Sequence, residues 1–124
     1  MSGFNQLTYL IVDDVCTVRE FLKQSLFQMG VTEIHEASDG KTALSQYSEH
    51  LPDVVFLDIE LPDLDGNEIL RKIKARKSDA FVVMISAHSS VDNVKSAVSN
   101  GASGFIVKPF SPQKITNILN KYPR

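Results

Sequence analysis

Tryptophan is absent from this sequence, and no apolar stretch approaches the roughly 20 residues needed to cross a membrane. Cys16 is the only thiol, so the chain can close no internal disulfide, which fits a reducing cytoplasm. Charge of one sign is also scarce. Thirteen Lys and Arg against fifteen Asp and Glu leave a net charge of −2, which gives no general pull toward nucleic acid or an anionic membrane. The opening Met-Ser-Gly-Phe-Asn-Gln lacks the basic and then apolar regions of a secretory leader. His35, His50 and His88 are scattered, and solvent-facing or locally bonded roles are expected for them rather than a shared site. A small cytoplasmic domain remains, with no membrane insertion and no direct contact to nucleic acid.

What the chain does have is alternation. Its 124 residues, 43% hydrophobic and 23% charged, read as one globular domain over 1–124. Residues 7–12 form a strand-like run. The next segment puts Val15, Val18, Leu22, Leu26 and Met29 on one helical face and stops at Gly30. Cys16, inside that pattern, is expected to be buried or half-buried. Residues 32–37 read as a weaker strand near a sheet edge. Asp39-Gly40 introduces a short helix over 41–47, and Pro52-Asp53 breaks the chain before a strand over 54–57.

The stretch 61–66 is a turn in which Asp63 and Asp65 are turn and cap residues. A helix through Ile69, Leu70 and Ile73 ends in the basic run 71–77, read as a solvated helix end favoured by the helix dipole. The strand over 81–85 leads to a helix with Val91, Val94 and Val98 on one side, ended by Asn100-Gly101. A last strand, 105–107, precedes Ser111-Pro112 as N-cap and first-turn proline, and then Ile115, Ile118, Leu119 and Tyr122 at helical spacing. Five strands alternating with five helices predict a doubly wound, three-layer α/β/α fold with a parallel sheet covered on both faces.

In such sheets ligands bind beyond the carboxyl ends of the strands. Asp13, Asp14, Asp58, Ser86 and Lys108 each stand at or just past the end of an apolar run, so one sheet edge collects all five. Three carboxylates brought close together resist ionisation unless a cation compensates. Magnesium suits an all-oxygen set of one or two carboxylates plus phosphate, with manganese as an alternative. No cysteine–histidine cluster favours zinc. Asp58, at the end of the central run, is placed to attack phosphorus. Lys108 and Ser86 would contact the phosphoryl group.

Two lookalikes fail. Gly40-Lys41-Thr42 ends like a phosphate-binding loop, but the required first glycine is His35. Asp63-x-Asp65-x-Asn67 opens like a calcium loop, yet its sixth position is Glu68 and its twelfth Lys74.

The segments Ile11-Val12-Asp13-Asp14, Val54-Val55-Phe56-Leu57-Asp58-Ile-Glu-Leu-Pro-Asp-Leu-Asp-Gly66, Met84-Ile85-Ser86-Ala87 and Gly101-Ala-Ser-Gly-Phe-Ile-Val-Lys-Pro109-Phe110 resemble the receiver domain of two-component response regulators. The resemblance covers nearly the whole chain, in the family's order and spacing. It implies a flavodoxin-like sheet in the order 2-1-3-4-5. It also implies that Asp58 is the phospho-acceptor, served by a histidine kinase or a histidine phosphotransfer protein. Asp14 is then a direct magnesium ligand, Asp13 one acting mainly through water, and the backbone carbonyl of Glu60 a further ligand. Ser86 is the switch hydroxyl, Phe105 the aromatic switch and Lys108 the phosphate-contacting lysine, followed by a cis bond to Pro109.

Glu60 and His88 occupy the positions that tune phosphoryl lifetime in this family. A downstream partner would read the surface of the fourth helix, fifth strand and fifth helix. Two other readings compete: a haloacid-dehalogenase-like aspartyl-phosphate phosphohydrolase, and a protein-binding module indifferent to phosphorylation. The first wants Asp-x-Asp where this chain has Asp58-Ile-Glu60, and the second leaves the five rim residues without a purpose.

Overall fold

The computed structural model describes residues 6–87 and 91–123. Ten elements alternate along the chain: β1 (Thr8–Val12), α1 (Cys16–Gln28), β2 (Glu33–Ala37), α2 (Gly40–His50), β3 (Val54–Asp58), α3 (Gly66–Arg76), β4 (Phe81–Ser86), α4 (Val91–Ser99), β5 (Gly104–Val107) and α5 (Pro112–Leu119). The strands form one parallel sheet in the order β2-β1-β3-β4-β5, the flavodoxin-like arrangement. Among the described residues no helix is long and apolar enough to cross a membrane.

The period of two along the strands sorts their side chains into two cores. Tyr9, Ile11, Val54, Phe56, Val83 and Ile85 pack with Leu22 and Leu26 of α1 and Ile115, Ile118 and Leu119 of α5. Leu10, Val12, Val55, Leu57, Val82 and Met84 pack with Ala43 and Tyr47 of α2, Ile69, Leu70 and Ile73 of α3, and Ala97 of α4. Each fully buried aliphatic side chain contributes about 2 kcal/mol relative to exposure. The sheet interior is therefore a closely packed base for its carboxyl rim.

Helix ends follow local chemistry. Asp39 caps α2 by accepting from the Thr42 N–H at 2.7 Å, and Asp65 caps α3 by accepting from the Asn67 N–H at 2.8 Å. Gly101 closes α4 at φ 93°, a left-handed conformation that costs glycine little. Leu51 caps α2 at φ 46° instead, with its side chain largely in solvent. Beta-edge placement holds for β2, which pairs only through β1.

Four expectations change. Cys16 is exposed, because α1 begins with it and turns Leu22, Ser25 and Leu26 inward, well round the helix from position 16. Val15 precedes the helix and is exposed too. Among the described side chains of α4 the fully buried one is Ala97, while Val98 points outward and is 64% exposed. Finally, His35 of β2 and His50 of α2 are not scattered. Their rings stack with centroids 3.6 Å apart and planes 10° apart, although each also meets a local carboxylate, Glu33 at 3.2 Å and Glu49 at 3.5 Å.

Candidate functional site at the carboxyl rim of the sheet

The register of the central strands builds the rim. Asp58 ends β3 opposite Ile85, and Ser86 ends β4 opposite Val107. The Lys108 N–H donates to the Ser86 carbonyl at 2.8 Å, carrying the lysine one step beyond β5. Asp13 and Asp14 follow β1 directly, and the Asp13 N–H donates to the Ala37 carbonyl at 3.1 Å. Carboxylate oxygens of Asp13, Asp14 and Asp58 all lie within 4.8 Å of one another. Asp13 is fully buried, Asp58 is 2% exposed, and Asp14 opens to solvent.

Lys108 is the counter-charge. Its Nζ donates to Asp58 Oδ2 at 3.1 Å and stands 2.8 Å from Asp13 Oδ2, an ion pair outside hydrogen-bonding angles. Burial would lower the Lys108 pKa, but Asp13 and Asp58 outweigh it and hold the ammonium above its ordinary value. Burial, reinforced by the charge of Asp13, pushes the Asp58 carboxyl up, against the opposing Glu60 N–H and Lys108. One carboxylate of the cluster is thus ionised at a cost that a divalent cation would remove. The donor set is all oxygen and fits a hard cation such as Mg2+.

The loop after Asp58 is tightly held. The Glu60 N–H donates to Asp58 Oδ1 at 2.9 Å, and the Gly66 N–H donates to the Ile59 carbonyl at 2.7 Å. A Cβ at Gly66 would collide with the Asp58 carbonyl and lie 2.6 Å from Ile59 Cα, so only glycine lets α3 start here. Asp63 does more than turn the chain: it accepts from the Gly40 N–H at 2.7 Å and the Lys41 N–H at 3.0 Å, binding this loop to the first turn of α2.

Ser86 is fully buried at the rim, and Phe105 is half-buried against the core that includes Ala97 of α4. The Lys108–Pro109 peptide bond is cis. The Glu60 side chain is exposed. His88 lies outside the described residues. The basic run 71–77 is divided among tasks: Lys74 Nζ donates to the Ala80 carbonyl at 3.0 Å, Arg76 Nη1 to Ser48 Oγ at 2.6 Å, and Lys77 pairs with Asp79 at 3.1 Å.

The sequence reading did not single out Arg19 and Glu36. Arg19 Nη1 donates to the Asp13 carbonyl at 2.6 Å, and its Nε pairs with Glu36 Oε1 at 3.0 Å. A basic residue one helical turn past an acidic strand end was the available signal.

A carboxylate cluster and lysine on this sheet edge are the outfit of a phospho-accepting signalling switch rather than a conventional enzyme. The chain belongs to the response regulator receiver domain family, whose pattern matches residues 9–120. It is 38% identical to chemotaxis protein CheY of Bacillus subtilis over 112 residues, 90% of this chain and 93% of that protein. It is 36% identical to CheY of Thermotoga maritima, again over 112 residues, 90% of this chain and 93% of that one. Among solved structures, CheY in the CheX–CheY–BeF3–Mg2+ complex from Borrelia burgdorferi superposes with a TM-score of 0.90 at 34% identity, covering 95% of this chain and 90% of that chain. Membership decides against the phosphohydrolase reading, and the complete acidic cluster with its lysine speaks against the phosphorylation-indifferent one.

Proposed function

We propose that residues 1–124 act as one receiver unit in the cytoplasm, taking a phosphoryl group onto Asp58 from a histidine kinase or histidine phosphotransfer protein. A carboxylate oxygen of Asp58 attacks phosphorus as the phosphorus–nitrogen bond of the donor breaks, and the imidazole leaves with that electron pair. Asp13, Asp14, Asp58 and the Glu60 carbonyl would hold Mg2+, or Mn2+ in its place, which supplies positive charge to the phosphoryl oxygens. Lys108 would turn from Asp13 and Asp58 toward the new phosphoryl oxygens, and Ser86 would donate its hydroxyl to one of them.

The observation that carries this reading is Lys108 within 3.1 Å of Asp58 and 2.8 Å of Asp13 at the mouth of the acidic cluster. The Mg2+ named for the Borrelia complex supports the choice of metal.

Ser86 drawn inward and Phe105 following it would reshape α4, β5 and α5, a population shift toward a conformer already accessible. A protein partner would read that surface. A groove of about 280 Å³ there is lined by Phe105, Val107, Ile118, Lys114 and Lys121. Glu60 and His88 would set how quickly water removes the phosphoryl group. No direct nucleic-acid or membrane contact is part of this reading.

Mass spectrometry of the protein with Mg2+ and a small phosphodonor tests it. One phosphoryl adduct is expected, absent from Asp58→Ala; no adduct on the wild type, or one that survives the substitution, refutes it.

A further inference from the structure

The cluster at the rim has a neighbour with no part in the scheme above. Arg19, on the first turn of α1, is 17% exposed in its side chain and reaches two elements at once. Through Nη1 it donates to the Asp13 carbonyl at 2.6 Å, and through Nε it pairs with Glu36 Oε1 on β2 at 3.0 Å. The other oxygen of Glu36 is taken by Lys23 at 2.9 Å, and Lys23 also pairs with Glu20 at 2.7 Å. Burial would raise the Glu36 carboxyl, but Lys23 and Arg19 outweigh it and hold it below the usual carboxylate range.

An exposed ion pair is worth about 0–1 kcal/mol and explains little. This one differs in what its guanidinium also holds. The Asp13 carbonyl belongs to the peptide unit joining Asp13 to Asp14, so the bond from Arg19 fixes the plane of that unit. The same turn is fixed on either side by the Asp13 N–H on the Ala37 carbonyl at 3.1 Å and by Val15 N–H donating to Asp13 Oδ1 at 2.8 Å. Three bonds to one residue leave it little freedom to answer the repulsion inside the cluster by swinging away.

We propose that Arg19, aimed by Glu36, is a positioning residue for the cation site: it orders the Asp13–Asp14 peptide so that both carboxylates present themselves to Mg2+. The inference rests on the Mg2+ reading above. Charge and position act in opposite directions, which makes it testable. As a positive charge near the site Arg19 repels Mg2+, so deleting it would tighten binding if charge alone mattered. As a positioning residue its loss weakens binding. Outer partners of metal ligands typically matter by about 10-fold or more in affinity.

The experiment is calorimetric titration of MgCl2 into the wild type, Arg19→Met, Arg19→Lys and Glu36→Gln, with amide hydrogen exchange of Asp14 and Val15 followed in EDTA. Arg19→Met is expected to weaken Mg2+ binding about 10-fold and Glu36→Gln about 3-fold. Arg19→Lys keeps the charge but not the fork, and should fall between them. The two amides should exchange faster in every variant. In phosphodonor assays the Mg2+ concentration for half-maximal uptake should rise more than the maximal rate falls. A wild type that binds while Arg19→Met binds equally well or more tightly overturns the inference alone, whatever Glu36→Gln does, because losing a negative charge would weaken Mg2+ binding on either account. A wild type that binds no Mg2+ overturns the metal reading and the inference with it.

Discussion

The ammonium of Lys108 stands 3.1 Å from the Asp58 carboxylate and 2.8 Å from that of Asp13, both of them buried. Before any metal arrives, a protein cation occupies the mouth of the acidic cluster. On the Mg2+ reading, lysine and metal would compete for the charge of this cluster. Lys108→Ala should bind Mg2+ about tenfold more tightly than the wild type, the equivalent of about 1.4 kcal/mol of relieved repulsion. Calorimetry reads this directly, and weaker binding would contradict it.

Asp58 is ionised at a cost, so removing its charge should stabilise the metal-free fold. A carboxyl whose pKa is raised in the folded state binds its proton more tightly there than when unfolded. Stability is then greatest at low pH and falls as pH rises through the raised value. Asp58→Asn in EDTA at neutral pH should melt about 4 °C higher, on the order of 1 kcal/mol, and the difference should vanish in acid. Thermal melts followed by circular dichroism at several pH values test both parts.

Asp63 predicts the opposite pH dependence. The Gly40 and Lys41 N–H groups hold its carboxyl below the usual range despite some desolvation, so its contribution is present above the unfolded pKa and lost as pH falls through the folded one. Melts of the wild type and Asp63→Ala from about pH 6 to about pH 2.5 should converge at the acid end. Parallel curves would show that the two bonds from α2 do not depend on its charge.

Leu51 offers a stabilising change. It sits at φ 46° with 56% of its surface exposed, so a branched side chain bears left-handed backbone strain for little burial. Leu51→Gly should raise stability by about 0.5–1 kcal/mol in urea unfolding.

Legibility in the sequence followed range. Strand order apart, the elements could be read from periods of two and 3.6, and the rim residues from where apolar runs stopped, because both signals are local. Most of the failures were matters of how elements meet. Val98 lies on the same helical stripe as Val94, but α4 seats Ala97 in the core and leaves Val98 outside it. Cys16 looked like part of an apolar face that begins only further along α1. His35 and His50 are fifteen positions apart, and only the packing of α2 on the edge strand stacks them. Arg19 and Glu36 belong with them: each is an unremarkable charge until β2 and α1 are set side by side.

The diagonal step from Asp58 to Ser86 to Lys108 across three adjacent strands carries a consequence for how this chain can change length. Side chains alternate faces along a strand, so one residue inserted or deleted within β3, β4 or β5 would exchange the two cores and rotate a rim group out of reach. The opposite rim, where exposed Ser78 and Asp79 lead into β4, carries none of these groups. Gaps should be tolerated there and lethal at the carboxyl ends, so that the two edges of one sheet drift at different speeds.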